Sequence, residues 1–488
     1  MTAQATLAQA LADWALGVRA SDIPDALMRD AEARVLDTLG NCIAGSREPL
    51  GRAMLRAAGD LGAGMDAAIL PCGTRVPAGT AALVNGTFGH ALDFDDTHIA
   101  TLVHPSSPVV AAALALAERH ALDTRELLVC VVIGNEICCR LGMVAPLAFH
   151  RSGLHPTAVL APVATALVAA RIMGLDQAAA VHAMGIAGSQ ASGILESFSD
   201  GTWVKTFHAG WAAQSGVVAA TMAKAGFTGP ATVLEGRFGL FASHVQRADE
   251  TLDYDALTDR LGTHWEIRTC SLKPYACAHV IHPFVDLALE LHREGVAADR
   301  IAEIRAPVQP GYIPVVCEPR EVKIAPRTPT HARASLPYCV AAALLRGKLD
   351  LEAFSPSEIA APDIRALAAR IVHDPDPEPP APGRFRGVLH LRMEDGTRSE
   401  RRQDFNRGSA DHPLSQDEIA AKFRANCASS LGAESCDAVI AACRSLDRAG
   451  PVADLIALCL SPRPTGVQRQ QQQQGRPRPN TNPKRSQT

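Results

Sequence analysis

Aromatic side chains are scarce in this chain: Trp, Tyr and Phe together make up 4% of 488 residues. A core must therefore be built from Ala, Leu, Val and Ile, which suits closely packed helices. Net charge is also small. The 47 Lys and Arg against 51 Asp and Glu leave −4 with His neutral, so no global field draws the protein to nucleic acid or to an anionic membrane. Uncharged apolar runs of membrane-spanning length are missing outside Ala/Gly-rich helical stretches, and no transmembrane span is expected. Met1–Ala20 has no basic start and carries Asp13 and Trp14, unlike a signal peptide. No CxxC pair occurs among the 13 cysteines, and most lie in apolar runs such as Leu127–Cys139. Reduced, buried thiols in a cytoplasmic protein are expected rather than a disulfide framework.

What is present is ordinary for a soluble globular protein: 47% hydrophobic and 20% charged residues. The chain is too long for one compact core, so two domains are expected. The first half reads as successive helices. Ser21-Asp22-Ile23-Pro24 opens one, with a capping residue and then Pro in the first turn. Asp123-Thr124-Arg125-Glu126 reads as a capping box for Leu127–Leu141. Further helices are expected at Ala82–Leu92, Pro108–Glu118, Ala158–Met173 and Ala209–Lys224. After about Trp265 the pattern changes. Ile301–Val308 alternates like a strand, and Gly387–Met393 and Thr397–Gln403 flank an Asp395-Gly396 turn like a hairpin. Arg333–Leu345 and Ser357–Val372 look helical, and Pro375–Pro382 looks like a loop. Helices return at Ser415–Leu431 and Asp437–Arg448. The Pro462–Thr488 tail, rich in Gln, Pro and basic residues, is expected to be disordered.

Four polar clusters interrupt the apolar helices. The densest runs from Asp93 through Asp95, Asp96, Thr97 and His98 to His104 and Ser106, in a loop between two helices. Its carboxylates and imidazoles offer acids and bases. Helix capping by Asp95, Asp96 and Ser106 is the plainer reading, and a hard-metal site built on Asp93, Asp95 and Asp96 is a rival one. No HExxH motif, other zinc-type spacing or phosphate-binding glycine loop supports a metal. His155 precedes an apolar helix. Lys205 and His208 lie in a Gly-containing loop with Trp203 and Phe207, where Lys205 is either a solvated surface charge or an anchor for a substrate carboxylate. Lys273 and Tyr275 stand close to His279 and His282 at the border of the α+β segment.

Taken in order, these clusters closely resemble the MmgE/PrpD family. The resemblance rests on Asn85–His98 with His104-Pro105-Ser106, on Gly134-Asn135-Glu136, on Leu154–Thr157, on Asp200–Gly210 and on Leu272–Tyr275, and it spans about Leu7 to Leu460. It implies a mainly α fold with an α+β part. A large helical domain would come from both chain ends, 1–265 and 411–461, and an α+β lid domain, 266–410, would be inserted between them. It implies a homodimer, no cofactor, no metal, and a small di- or tricarboxylate as substrate. The family includes 2-methylcitrate dehydratases, cis-aconitate decarboxylases and an iminodisuccinate epimerase. Pocket positions of the decarboxylase branch fall on Asp93, Thr97, His104, His155, Lys205 and Tyr312. The branch's lid histidine falls near Ala278–His279, with His282 as competitor. The spacing from Thr97 to His104 is one residue longer than in the animal decarboxylase.

All three activities move a proton at a carbon beside a carboxylate. That requires a base near neutrality and positive charge facing the carboxylates. The expectation is a 2-methylcitrate dehydratase-like lyase. His104 would be the base, oriented or charge-balanced by Asp93; His155 would be its main competitor, with His279 or His282 next if the lid closes over the substrate, Lys205 would be the anion anchor, and Thr97, His208, Lys273 and Tyr312 would be further site residues.

Overall fold

The computed structural model describes residues 5–246, 249–381 and 383–461. The Pro462–Thr488 tail and Pro382, the last residue of the expected proline-rich loop, lie outside the described residues.

Long helices fill both ends of the described chain. Asp25–Gly45 packs against Ala78–His90 on one side and against Gln416–Leu431 on the other, so early and late segments share one core. Ser106–His120, Thr124–Met143, Pro156–Ile172, Gln177–Ser189 and Val204–Lys224 complete this layer. Its buried side chains are mostly Ala, Val and Leu, as the shortage of aromatics demands. Small residues let these helices approach closely. A Cβ on Gly210 would meet the Leu83 carbonyl oxygen at 2.1 Å, and one on Gly86 would meet the Gly210 Cα at 2.9 Å. That contact brings the C-terminal half of Ala78–His90 beside the N-terminal half of Val204–Lys224.

Two short hairpin strands, β1 (Ala67–Ile69) and β2 (Thr74–Val76), cap one end. Strand β3 (Thr97–His98) pairs antiparallel with β4 (Cys270–Ser271), placing Thr97 opposite Ser271. The inserted part holds a mixed sheet of β5 (Ile301–Val308), β6 (Ile371–Pro375), β7 (Gly387–Met393) and β8 (Arg398–Gln403), ordered β6-β5-β7-β8. Only β5 and β6 run parallel. Helix His282–Arg293 packs on both β7 and Leu336–Arg346. Buried apolar residues of this part form a second cluster, joined by Ala44, Leu92, Phe94 and Ile99 from the helical part. The acidic loop therefore lies where the two cores meet. The protein is mainly α, a helical body with an inserted α+β part.

Several expected elements are shifted. Asp123 caps Thr124–Met143 by accepting the Glu126 N–H. The expected Arg333–Leu345 helix is divided: Ser335 leaves the helical conformation and accepts the Tyr338 N–H, starting Leu336–Arg346 afresh. Ser357–Val372 is not one helix. Pro362, which lacks an N–H, separates Pro356–Ala360 from Pro362–Ala368, and Ile371 and Val372 extend to pair with β5. Pro375, expected in a loop, closes that strand. The last expected helix runs Ala433–Cys443, followed by a short turn at Leu446–Arg448. Among the described residues no helix is long and apolar enough to cross a membrane. All 13 cysteines are free, and only Cys72 is exposed.

Candidate active site

One cavity between the helical body and the inserted part gathers residues scattered over the sequence. Asp93, Thr97, His104, His155 and Lys205 line it from the body; Lys273, His279 and Tyr312 line it from the other side, with Phe385 beside them. Two expected site residues stand behind this wall. His208 meets His155 ring to ring, Nδ1 to Nδ1 at 3.1 Å. The His282 ring lies 4.6 Å from that of His279, tilted by 45°, and its Nε2 donates to the Cys277 carbonyl.

The loop after Ala78–His90 is held by its own polar groups. Asp93 has a left-handed backbone, φ 51°, a conformation that costs energy for a residue with a Cβ. The Lys273 ammonium donates to the Asp93 carbonyl at 2.8 Å and to its carboxylate at 3.1 Å, which fixes that turn. Lys205 reaches the same carboxylate from the other side at 3.3 Å. Enclosure pushes the Asp93 carboxyl up, but the two ammonium groups outweigh it and hold it well below the usual carboxylate range. Asp93 thus bridges two lysines; of the two roles expected for it toward His104, the charge is present but an orienting hydrogen bond is not.

His104 is oriented instead by backbone. Its Nδ1 donates to the Asp96 carbonyl at 2.9 Å, because a carbonyl can only accept. Nε2 is left with its lone pair. Asp95 lies 3.6 Å from the ring. Burial lowers the His104 imidazole well below its ordinary value despite Asp95, so it stands neutral with an unprotonated Nε2. His155 is likewise lowered by burial and by Lys205, and its Nε2 is buried without a partner. Burial also brings His208 down to about 4 and pushes the Tyr312 phenol up to about 12.

Asp96 is structural. It accepts the Ser106 N–H at 3.1 Å and the Ser106 hydroxyl at 2.6 Å, capping Ser106–His120, and it pairs with the buried Arg34. His98 bonds Thr101 at 2.7 Å and faces Glu266, outside the cavity. Lys205 and His208 lie in the first turn of Val204–Lys224, since the helix begins five residues before its expected start at Ala209. Asp200 accepts the Thr202 N–H just upstream and shapes that entry.

Sequence reasoning left His90 without a role. Its Nδ1 donates to Asp95 at 2.9 Å, and its Nε2 accepts from Lys205 at 3.1 Å. Its ring lies 4.7 Å from that of His104 and 5.5 Å from that of His155. Asp95 also accepts the Ser107 hydroxyl, so a fixed carboxylate holds His90 and His90 holds Lys205. A histidine on an apolar helix, five residues before an aspartate, was the available signal. His90, His104 and His155, or His90 and His104 with Asp93 and Asp95, place ligand atoms within 4.8 Å of one another and could hold a metal ion. The Lys205 and Lys273 ammonium groups already sit among them and would oppose a second cation.

The site thus gathers buried imidazoles and two lysines in one cavity between a mainly helical body and an α+β part. Family models for the MmgE/PrpD N-terminal and C-terminal domains match residues 9–253 and 275–447, and the chain belongs to the MmgE/PrpD family. It is an enzyme, a lyase of MmgE/PrpD type. It is 26% identical over 476 residues to the cis-aconitate decarboxylase-like protein oryM of Aspergillus oryzae, covering 94% of this chain and 98% of that one. It is 28% identical to the cis-aconitate decarboxylase of Homo sapiens, covering 80% and 82%. The cis-aconitate decarboxylase of Aspergillus terreus is 26% identical, covering 57% and 59%.

Proposed function

We propose that the protein cleaves a small di- or tricarboxylic acid by moving a proton at the carbon α to a carboxylate, with no cofactor. The carrying observation is the cavity itself, where Lys205 and Lys273 face His104, His155 and His279. Substrate carboxylates would compete with Asp93 for the two ammonium groups. Negative charge brought beside His104 would offset its burial and raise its proton affinity. Nε2 could then deliver a proton to the α-carbon, or remove one in the reverse sense. Within this class, decarboxylation of a cis-aconitate-like acid replaces the expected 2-methylcitrate dehydration as the leading reading, because relatives aligned over most of the chain carry that name. In that reaction the C–C bond to one carboxylate breaks, CO2 leaves, and the electron pair on carbon takes the proton.

The test is direct. Purified enzyme, with and without exhaustive EDTA, is incubated with cis-aconitate, citrate, 2-methylcitrate and iminodisuccinate, and products are followed by NMR. CO2 release from cis-aconitate, unchanged by EDTA, is the expected result. Turnover of 2-methylcitrate alone would restore the dehydratase reading, and a divalent-cation requirement would end the cofactor-free one.

The homodimer that the family resemblance implies, and the cytoplasmic location expected from the reduced cysteines, belong to the same proposal. Val204, Trp211, Val218 and Met222 are 45, 37, 45 and 39% exposed along one face of Val204–Lys224, an apolar stripe suited to a second copy.

A further inference from the structure

His279 faces the cavity from the inserted part, and its two ring nitrogens have unlike surroundings. Nε2 is 3.0 Å from the Asn406 side-chain nitrogen and 3.1 Å from the Ser271 hydroxyl. Nδ1 is buried and has no partner. Which way the Asn406 amide points decides the tautomer. Its Nδ2 lies 3.1 Å from the Arg407 carbonyl, which can only accept, so the NH2 end is turned toward both Arg407 and His279. One amide hydrogen serves that carbonyl and the other lies between Nε2 and the Ser271 hydroxyl, which is 3.0 Å from Nδ2; an amide nitrogen does not accept, so Nε2 faces it with a lone pair. Asn406 is itself buried, 1% exposed, and Ser271 is held in β4 opposite Thr97. The proton of the neutral ring is left on Nδ1.

We propose that Asn406 is a positioning residue that fixes His279 as a neutral Nδ1–H donor, aimed at the oxygen on which negative charge develops in the substrate. His279 then gives a hydrogen bond and no proton: the ring stays neutral throughout, and the proton reaching carbon comes from elsewhere. A neutral imidazole is suited to this task because it polarises an oxyanion without needing to lose a proton. Burial, with His282 and Lys273 nearby, lowers the His279 imidazole well below its ordinary value and keeps the ring in that form. This places donor and base on opposite walls, with the Nε2 lone pair of His104 on the body and the Nδ1–H of His279 on the inserted part.

The inference rests on the lyase reading for its role but not for its tautomer, so the two fail separately. Nitrogen NMR of 15N-histidine-labelled enzyme, assigned by loss of signals in His279→Asn, reads the tautomer without substrate. The expected result is a pyridine-type Nε2 and a pyrrole-type Nδ1 in the wild type. In Asn406→Asp a proton moves onto Nε2, because a carboxylate only accepts. A protonated Nε2 in the wild type overturns the proposal whatever the variants do. For the role, the amide nitrogen of Asn occupies the place of Nδ1. His279→Asn should keep kcat within about 10-fold, and His279→Leu should lose about 10²–10³-fold, the usual cost of one oxyanion donor. If both lose activity equally while folded, His279 transfers a proton and the donor role is wrong.

Discussion

Asp93 combines a strained backbone with a carboxylate between two lysines, and that arrangement sets what each lysine can do. Lys205 is shared between Asp93 and His90, and it retains 18% side-chain exposure toward the cavity. Lys205→Ala is expected to raise KM for the anionic substrate and to lower kcat as well, since His90 loses its partner. Lys205→Arg is expected to restore binding only in part, because a wide planar guanidinium does not replace a compact ammonium between those two groups. Steady-state kinetics check this; an unchanged KM in Lys205→Ala would show that another cation anchors the substrate. At this scale much of the site was legible. Asp93, His104, His155, Lys205 and Lys273 were visible as polar groups in apolar surroundings. His90 was hidden because a histidine inside an apolar helix usually reads as core. Asn406 and Ser271 carried no signal, since only the fold brings them to His279.

At the level of elements, the acidic loop divides its labour between chemistry and capping. Asp96 caps Ser106–His120 and neutralises Arg34, which also contacts Asp30 and the carbonyls of Ile267 and Cys270. Asp96→Ala leaves the buried Arg34 guanidinium with Asp30 as its remaining carboxylate and orphans a helix N–H. The expected loss is roughly 1–3 kcal/mol, the usual cost of leaving buried hydrogen-bonding groups unsatisfied. Thermal unfolding should show a fall in Tm, and a Tm within a degree of wild type would mean that Arg34 is satisfied without Asp96. The alternation of β5 and the hairpin of β7 and β8 were readable from the sequence because period-two patterning is local. Strand β6 was read as helix because its pairing with β5 is long-range, and Ile371 and Val372 take the extended form only once β5 is there to accept them.

For the whole molecule, proton binding and assembly are the measurable consequences. His104, His155, His208 and His279 all bind protons more weakly in the folded protein than their ordinary value of 6.5, each chiefly through burial. Below that value the unfolded chain takes up protons that the folded one refuses, so stability present above pH 6.5 is lost as pH falls. Tm is expected to drop steadily from pH 7 to pH 5; a flat profile would mean that the histidines are not buried neutral. Assembly is tested by Trp211→Glu, which should convert a dimer to a monomer in size-exclusion chromatography with light scattering. A dimer that persists would place the interface on another face. The central claim is that His104 moves the proton at the α-carbon, and solvent-deuterium incorporation there tests it most directly. Wild-type enzyme turning over its acid in D2O should place one deuterium on that carbon. His104→Gln should keep the fold and bind substrate, but incorporate deuterium about 10²–10⁴-fold more slowly, the usual worth of acid–base catalysis. If His104→Gln incorporates as fast as wild type while His155→Gln does not, His155 is the proton carrier and the assignment to His104 is contradicted.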